Sequence, residues 1–440
     1  MNLAALHPAV LHPNLRIRIA VGFLQRLLDS MVMSFMAIYL AFEYGVAVAG
    51  VLVVTVMVLG VVGTLAGGHM SDSRGRRRTL LLGETGVCLT FALMAVADSP
   101  SWHSPAIVYC GYLVNKFAAS FAMPANDAMI LDVTTPESRK LVYTINYWSI
   151  NLALAVGALL GGFLYNGHFT LLLALAATGT VAIAAATYFF IAETKPEDTE
   201  PEDNEPEDNE PTEPGESEPR GSILRDFANG YRLVLQDRAF GRLLIAATLF
   251  MSIELQLINY IGVRLASDLP AQNLLSIGSW SIRVDGVEML GILRAENTVL
   301  VVALALVAHV VLRRVPDRVR MYAGAGLFTA GYMVLAVSDT GWVLLVAALV
   351  LTVGELMDVP VRQALLADMV PAASRTRYMA VYNLNIRVAL VVASLCITVG
   401  SVLPPWGMAA LYGVFGLVII WQYHAILTPS AARAEQLARA

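Results

Sequence analysis

Gly68-His69-Met70-Ser71-Asp72-Ser73-Arg74-Gly75-Arg76-Arg77-Arg78 lies between two long apolar stretches. Arginines packed this densely beside a bilayer are retained on its cytoplasmic side during insertion, so the apolar stretch before them runs from outside to inside. Gly75 lets the backbone reverse within a few residues. The segment therefore reads as a tight basic turn at a membrane face. Asp72 stands where it can accept from a helix N-terminus or from an arginine of a neighbouring helix, which is the chemistry of a gate latch.

Outward from this turn the chain is far more apolar than a soluble protein. Of its 440 residues 57% are hydrophobic and 14% charged, and the mean hydropathy is +0.64. A membrane helix needs about 20 apolar residues. Twelve such stretches are expected, at 18–41, 47–69, 79–97, 106–131, 142–165, 169–192, 240–263, 296–313, 320–338, 341–362, 378–400 and 404–427. Basic residues test this count. Arg16 and Arg18, the Arg74–Arg78 cluster, Arg139 with Lys140, Arg238 with Arg242, Arg313 to Arg320, Arg375 with Arg377, and Arg433 with Arg439 fall on one side. The opposite connections near 42–48, 98–105, 166–168, 339–340 and 401–405 hold no Lys or Arg, and only 264–295 is mixed. Both termini are then expected in the cytoplasm, in the cell membrane of the organism. No cleavable signal is expected, because the first span is long and lacks a small-residue cleavage site. Cys88, Cys110 and Cys396 lie inside spans and read as small apolar packers rather than a disulfide or metal set.

Residues 193–219 hold 13 acidic side chains and one Lys, in Pro-Glu-Asp repeats. They carry −12 against −5 for the whole chain, which leaves +7 elsewhere. Such a segment cannot bury a core and is expected to be a disordered, self-repelling tether; a partner-binding tail is the alternative. Ile223, Leu224, Phe227, Tyr231 and Leu235 after it suggest an amphipathic helix on the inner surface. The tether divides six spans from six. Pro124, Asp132, Ser138 and Arg139 recur as Pro360, Asp368, Ser374 and Arg375 at one offset of 236. The fold expected is therefore an all-α membrane protein of two pseudo-symmetric six-helix bundles, residues 1–192 and 222–440, joined by a cytoplasmic linker at 193–221. Parallel repeats of this kind are a transporter design, with cargo between the halves and access alternating by rocking.

Ionisable groups at bilayer depth are costly and usually face a cavity or a partner. Asp29, Glu254 and Glu355 fall about 11 to 15 residues into their spans, near the midplane at about 1.5 Å per residue. Glu355 is the foremost candidate proton carrier, the alternative being a fixed ion pair with Arg387. Arg26 and Asp29, at i and i+3, either neutralise one another or meet cargo. Asp358 and Arg362 flank Pro360 at i and i+4 and read mainly as an inner-gate bridge. Lys116 needs a counter-ion or an anionic cargo group, and Asp127 lies lower on the same span. Asn146, Tyr147, Trp148, Asn151, Asn383 and Arg387 complete the candidate cavity lining. Aromatics there can stack on flat or cationic ligands, although packing is their commoner role. Gly157, Gly161 and Gly162 permit close helix approach.

The turn at Gly68, Asp72, Gly75, Arg76 and Arg77 resembles the signature between spans 2 and 3 of the major facilitator superfamily. Gly157-Ala158-Leu159-Leu160-Gly161-Gly162 is similar to the span 5 motif of drug:proton exchangers, with Ala158 in place of its proline. Three stretches look like the LmrP-type multidrug/proton antiporters: Asn14-Leu15-Arg16-Ile17-Arg18; Asp127 to Asp132 through Ser138-Arg139-Lys140 to Tyr147-Trp148; and Gly354-Glu355 with Pro360. The resemblance implies proton-driven export of lipophilic, often cationic compounds. It implies Asp72 and Asp132 as cytoplasmic switch acids and Glu355 as the membrane-embedded acid. Two positions depart from that pattern: Asn146 replaces an acid before the Tyr-Trp pair, and Ile258 replaces a span 7 acid, with Glu254 one turn earlier.

The expected activity is thus multidrug efflux by alternating access, with Glu355, Glu254 and Asp29 coupling protons. Asp72, Arg76, Arg77, Asp127, Asp132, Arg139, Asp358, Arg362, Asp368 and Arg375, with Gly68 and Gly75, form the candidate cytoplasmic gate. Partners are a small molecule, protons and membrane lipid, with no nucleic acid and no cofactor, and the architecture can work as a monomer. A dedicated carrier of one metabolite is the alternative within transport, and a sensor or scaffold using the acidic tether is the alternative outside it. No zinc-protease pattern, nucleophile with its base, or nucleotide P-loop is found, which argues against an enzyme and against direct use of ATP.

Overall fold

The computed structural model describes residues 13–132, 136–194, 236–277, 280–312, 314–370 and 375–428. Most of the acidic tether and all of the amphipathic segment 223–235 lie outside them. Before the tether stand α1 (Pro13–Met33), α2 (Met36–Tyr44), α3 (Val46–Arg74), α4 (Arg76–Ala97), α5 (Pro105–Asp132) and α6 (Pro136–Phe190). After it come α7 (Arg238–Glu254), a 3-10 turn (Leu255–Ile258), α8 (Tyr260–Asp268), strands β1 (Gln272–Ile277) and β2 (Trp280–Val284), α9 (Gly286–Leu312), α10 (Asp317–Val337), α11 (Gly341–Met369), α12 (Arg375–Tyr382), α13 (Leu384–Gly400) and α14 (Pro405–Leu427). Among the described residues eight segments are long and apolar enough to cross a membrane. One of these, Ile145–Phe190, is 46 residues long, and α6 leaves helical geometry within it at Asn166, Gly167 and His168.

The opening basic segment is not the open turn that the sequence suggests. Helix α3 continues through it to Arg74, and only Gly75 leaves the helix, at φ +99°. That region is strained for any residue with a Cβ. A Cβ at Gly75 would also lie 2.6 Å from a Glu193 carboxylate oxygen, so the reversal takes one residue instead of several.

Two expected spans are broken where polar groups gather. Ser34 and Phe35 interrupt the first between α1 and α2. Leu255–Ile258 narrow to a 3-10 turn in the seventh, and Asn259 at φ −112°, ψ −109° ends it. Glu254 and Ile258 therefore do not share one regular helical face. The mixed segment 264–295 holds an antiparallel hairpin, Gln272 opposite Val284 and Ile277 opposite Trp280, with an irregularity between Asn273 and Leu275. Among the described residues it is a small β element beside helices. Helix α9 starts ten residues before the expected span. Asp285 accepts from Val287 N at 2.9 Å and Glu288 N at 3.0 Å, while Glu288 accepts from Asp285 N at 2.9 Å, a reciprocal cap.

Helices before the tether meet those after it through small residues. A Cβ at Gly162 would lie 3.1 Å from Gly291 Cα, and one at Gly291 would lie 2.6 Å from Ala158 O. Thr398 Oγ1 donates to Ala47 O at 2.8 Å, and Asn166 Nδ2 donates to Asp285. These contacts lie at the helix ends remote from Arg74–Arg78. The largest core cluster draws on helices from both sides of the tether, including Phe250 stacked on Phe328 with ring centres 3.8 Å apart. All three cysteines are free.

Candidate functional site

Helix α11 carries Glu355, Asp358 and Arg362 on successive turns. The expected i, i+4 bridge forms: Arg362 Nε donates to Asp358 Oδ2 at 2.8 Å. It is buried in the core, however, with the guanidinium 4.7 Å from the centre of the Phe250 ring and Tyr382 Oη at 3.5 Å. Asp358 thus takes up the arginine's charge. Glu355, one turn earlier, accepts from Asn297 Nδ2 of α9 at 3.2 Å, and the same amide donates to Thr352 Oγ1 at 2.9 Å. Glu254 is the last residue of α7, and its carbonyl accepts from Tyr332 Oη at 2.9 Å. The Glu254 and Glu355 carboxylates lie within electrostatic range of each other and of Arg362. Neither forms an ion pair among the described residues, and Arg387 does not pair with Glu355.

The first half gathers a different set. A cavity of about 300 Å³ is lined by Arg26 and Asp29 from α1 and by Lys116, Asn126 and Asp127 from α5, beside Leu80 and Thr180. Arg26 and Asp29 form no ion pair with each other among the described residues, so their charges face shared space. Asp29 also lies within electrostatic range of Arg294 of α9. That guanidinium donates to Ser34 Oγ at the break between α1 and α2. Behind the cavity, Arg18 and Glu84 are each 2% exposed and stand 3.7 Å apart. The sequence places Arg18 at the membrane face with Arg16, whereas its side chain turns into the helix bundle.

A second cavity, of about 880 Å³, runs between α1, α6 and α9. Its wall includes Phe23, Trp148, Leu152, Val299 and Val302, with Ser149, Asn151 and Thr298 as polar points. Asn151 Nδ2 donates to Tyr147 O at 2.8 Å, while Tyr147 is exposed and Asn146 half-buried. Asn383, exposed, and Arg387, half-buried, line neither cavity.

At the basic helix ends, Arg76 pairs with Asp132 and donates to Ala128 O at 3.3 Å. Thr194 Oγ1 reaches the same Asp132 at 2.9 Å. Glu193 accepts from the backbone N–H groups of Arg76 and Arg77, both at 3.0 Å, and so satisfies the start of α4. Arg77 donates to Tyr188 O at 2.5 Å and lies 5.6 Å from that ring's centre. Asp132, not Asp72, is therefore the acid that meets Arg76. Asp72 is exposed and makes no ion pair among the described residues, Gly68 has open space where a Cβ would stand, and Asp368 is exposed. The side chains of Arg139 and Arg375 lie outside those described.

At the opposite ends, Asp98 follows α4 and accepts from Thr170 Oγ1 at 2.7 Å. His103 stands between it and Glu43, at 3.8 and 3.4 Å. Burial pushes the Asp98 carboxyl above the usual aspartate range, against the Thr170 hydrogen bond and the His103 charge.

Residues 19–394 match the family model of the Major Facilitator Superfamily. The chain belongs to that superfamily. The transporter is 28% identical over 415 residues to a Na(+), Li(+), K(+)/H(+) antiporter of Planococcus maritimus, covering 93% of this chain and 96% of that one. It is 31% identical over 144 residues to an uncharacterized MFS-type transporter of Bacillus subtilis strain 168, about a third of each chain (32% and 33%). Two solved structures share its fold. A POT family transporter in complex with 5-aminolevulinic acid has TM-score 0.69 at 16% identity, over 94% and 96% of the two chains. A POT family transporter with a thioalcohol conjugated peptide has TM-score 0.68 at 15% identity, over 94% and 95%. The protein is thus a multi-pass membrane transporter of a family of transporters rather than enzymes.

Arg294 of this transporter lies outside the span expected at 296–313, and Glu296 and Asn297, at the start of that span, were not among the candidate site residues. The signal for Arg294 stood in the sequence, since Asp285 followed by Glu288 is a helix-start pattern that draws the helix back over it. The Arg18–Glu84 pair and the docking of Glu193 had no comparable signal, because each joins residues from distant helices.

Proposed function

We propose that the transporter exchanges protons for small amphipathic compounds by alternating access, through twelve spans in two six-helix halves with both termini in the cytoplasm of the cell. The observation that carries this reading is the Glu254–Glu355 pair. Arg362, the arginine in range of both, is already engaged by Asp358. Two half-buried carboxylates within electrostatic range of each other favour holding a shared proton or cationic cargo at the site. Exclusive occupancy is the requirement for antiport, because cargo and proton must differ in affinity for the two states.

The apolar 880 Å³ cavity with Trp148 on its wall supports lipophilic cargo. Its position between α1, α6 and α9, with the halves packed at the helix ends remote from the basic cluster, supports a cavity open toward the cytoplasm. Arg76, Arg77, Asp132 and Glu193 would latch the helix ends on that side. Asp72, Arg139, Asp368 and Arg375 would join the latch in the alternate state. A second reading, monovalent metal cation/proton exchange, is favoured by the name of the relative that matches over 93% of the chain.

The test is exchange in proteoliposomes under an imposed pH gradient, with ethidium, a neutral lipophilic dye and sodium as parallel cargoes. Gradient-driven movement of the dyes, lost in Glu355→Gln, is expected. Movement of sodium alone selects the second reading, and movement of none by folded protein overturns both.

A further inference from the structure

A second ionisable cluster lies between the smaller cavity and the basic latch, and the proposed coupling pair does not use it. Arg18 of α1 and Glu84 of α4 are each 2% exposed. Their 3.7 Å separation is longer than a hydrogen bond. Among the described residues no hydrogen bond of ordinary geometry forms at any guanidinium nitrogen, at either carboxylate oxygen or at the Thr187 hydroxyl of α6, although Arg18 and Thr187 both stand in polar contact with Glu84. A buried ion pair built for rigidity would fill these positions. This one is loose.

Arg18 has a second carboxylate in electrostatic range, Asp127 of α5. Asp127 lines the 300 Å³ cavity with Arg26, Asp29 and Lys116, as do Gly22, one turn from Arg18, and Leu80, one turn from Glu84. The arginine therefore stands between an acid sealed from the cavity and an acid open to it. On the same helices, Arg76 and Asp132 form the latch contact.

We infer that Glu84 is a second proton site and that Arg18 is its switch. With Glu84 ionised, Arg18 is held against it and Asp127 keeps its negative charge for the cavity. When a proton from the cytoplasmic side binds a Glu84 oxygen, the Arg18 charge is freed and turns to Asp127. The cavity then loses one effective negative charge, and a cationic cargo group beside Asp29 and Asp127 is expelled. No covalent bond other than the carboxyl O–H forms or breaks. The groups facing the pair are Asp127, Thr187 and, across the cavity, Arg26, Lys116 and Asp29. The inference rests on the proposed export of cationic cargo for its consequence in the cavity, but not for the protonation itself.

The experiment therefore reads each separately, on the full chain in nanodiscs. Infrared difference spectra between acid and alkaline pH are expected to contain a carboxylic-acid carbonyl band that disappears in Glu84→Gln and persists in Glu355→Gln. A spectrum unchanged by Glu84→Gln overturns the proton site whatever the cargo. Ethidium binding followed by fluorescence polarisation is the second measurement. Glu84→Gln is expected to weaken it about tenfold, the effect of one misplaced charge, and to flatten its pH dependence. The double variant Arg18→Gln/Glu84→Gln is expected to regain wild-type affinity, still without that pH dependence, because the displaced arginine is gone. A double variant as weak as the single one overturns the switch. If Glu84→Gln does not fold, the double variant, which removes both buried charges together, carries the infrared measurement. Absence of ethidium binding by the wild type, with the infrared band lost on Glu84→Gln, would count against the cargo and leave the proton site standing.

Discussion

The two halves of the transporter handle buried charge differently. Before the tether, acids and bases share a cavity: Arg26 and Lys116 face Asp29 and Asp127 with no fixed pairing among them. After it, Arg362 is locked to Asp358, and two acids, Glu254 and Glu355, are left within electrostatic range of each other with no ion pair among the described residues. A balanced cavity can bind a charged group and release it at little cost, because its own charges relax together. A pair of acids without a fixed counter-charge favours taking up a proton or a cation. On the proposed function the first arrangement suits recognition and the second suits coupling, a division of labour between the segments before and after the tether that variants can break.

The comparison breaks first at its largest expected effect. Glu254→Gln/Glu355→Gln should abolish accumulation of cargo against a gradient while leaving downhill movement, measured in the same proteoliposomes with and without a pH gradient. Lys116→Gln or Arg26→Gln should instead shift the apparent affinity by about tenfold, about 1.4 kcal/mol, and leave proton drive intact. If the first-half variants uncouple transport and the second-half pair does not, the division of labour is reversed.

A smaller effect is expected where the halves meet. A Cβ at Gly162 already comes within 3.1 Å of both Gly291 Cα and Val287 O, so Gly162→Leu must push α9 away from α6. Overpacking of this kind costs on the order of 1–3 kcal/mol, charged only to the state in which these helix ends touch. The population should shift toward the state open on that side. A cysteine replacing Asn166 should then label faster with an impermeant maleimide. Unchanged labelling would show that this contact is not the one that opens.

Much of this arrangement was legible beforehand. The apolar run lengths located the long helices, though not the breaks at Ser34–Phe35 and Leu255–Ile258, and residue depth marked Glu254 and Glu355, which the fold brings within electrostatic range of each other, and Asp29, which it places on the smaller cavity. The i, i+4 spacing found Asp358 with Arg362. The parts that stayed hidden depend on which residues of distant helices face each other. Periodicity places Arg18 near the end of α1, but whether it points to lipid headgroups or to Glu84 is set by how α1 and α4 pack. The opening stretch was read as a turn because it is polar, yet polarity ends a membrane without ending a helix, and α3 continues to Arg74. Glu193 looked like the first residue of a solvated tether, and it is the group that satisfies the start of α4.

Gly75 offers a backbone test of the latch. Its φ of +99° and the 2.6 Å approach of Glu193 to a built Cβ predict that Gly75→Ala costs about 1–3 kcal/mol, the scale of a strained φ/ψ. Loss of Glu193 alone should cost less, about 1 kcal/mol, the scale of a removed helix cap. Thermal melts of the two variants and of their combination should show less than additive losses, since both act on the same turn. Fully additive losses would mean that Glu193 does not hold this turn.

The smallest effect lies at the far ends, where Asp98 is buried beneath Thr170 and His103. Its carboxyl binds a proton more tightly in the folded protein than in the unfolded chain. Between the ordinary aspartate value and the raised one, the folded state holds more protons than the unfolded state. Stability therefore falls as pH rises through that window, and below the window the contribution is fully present. Asp98→Asn removes the titrating group while keeping an acceptor for the Thr170 hydroxyl at 2.7 Å. Melting temperature measured from acid to neutral pH should decline less steeply in the variant than in the wild type. The His103 charge works the other way, drawing the Asp98 proton off more readily while the imidazole is protonated, so His103→Gln should widen the wild-type decline. A steeper decline in Asp98→Asn than in the wild type would mean that the ionised carboxylate stabilises these helix ends, and that the Thr170 and His103 contacts outweigh its burial.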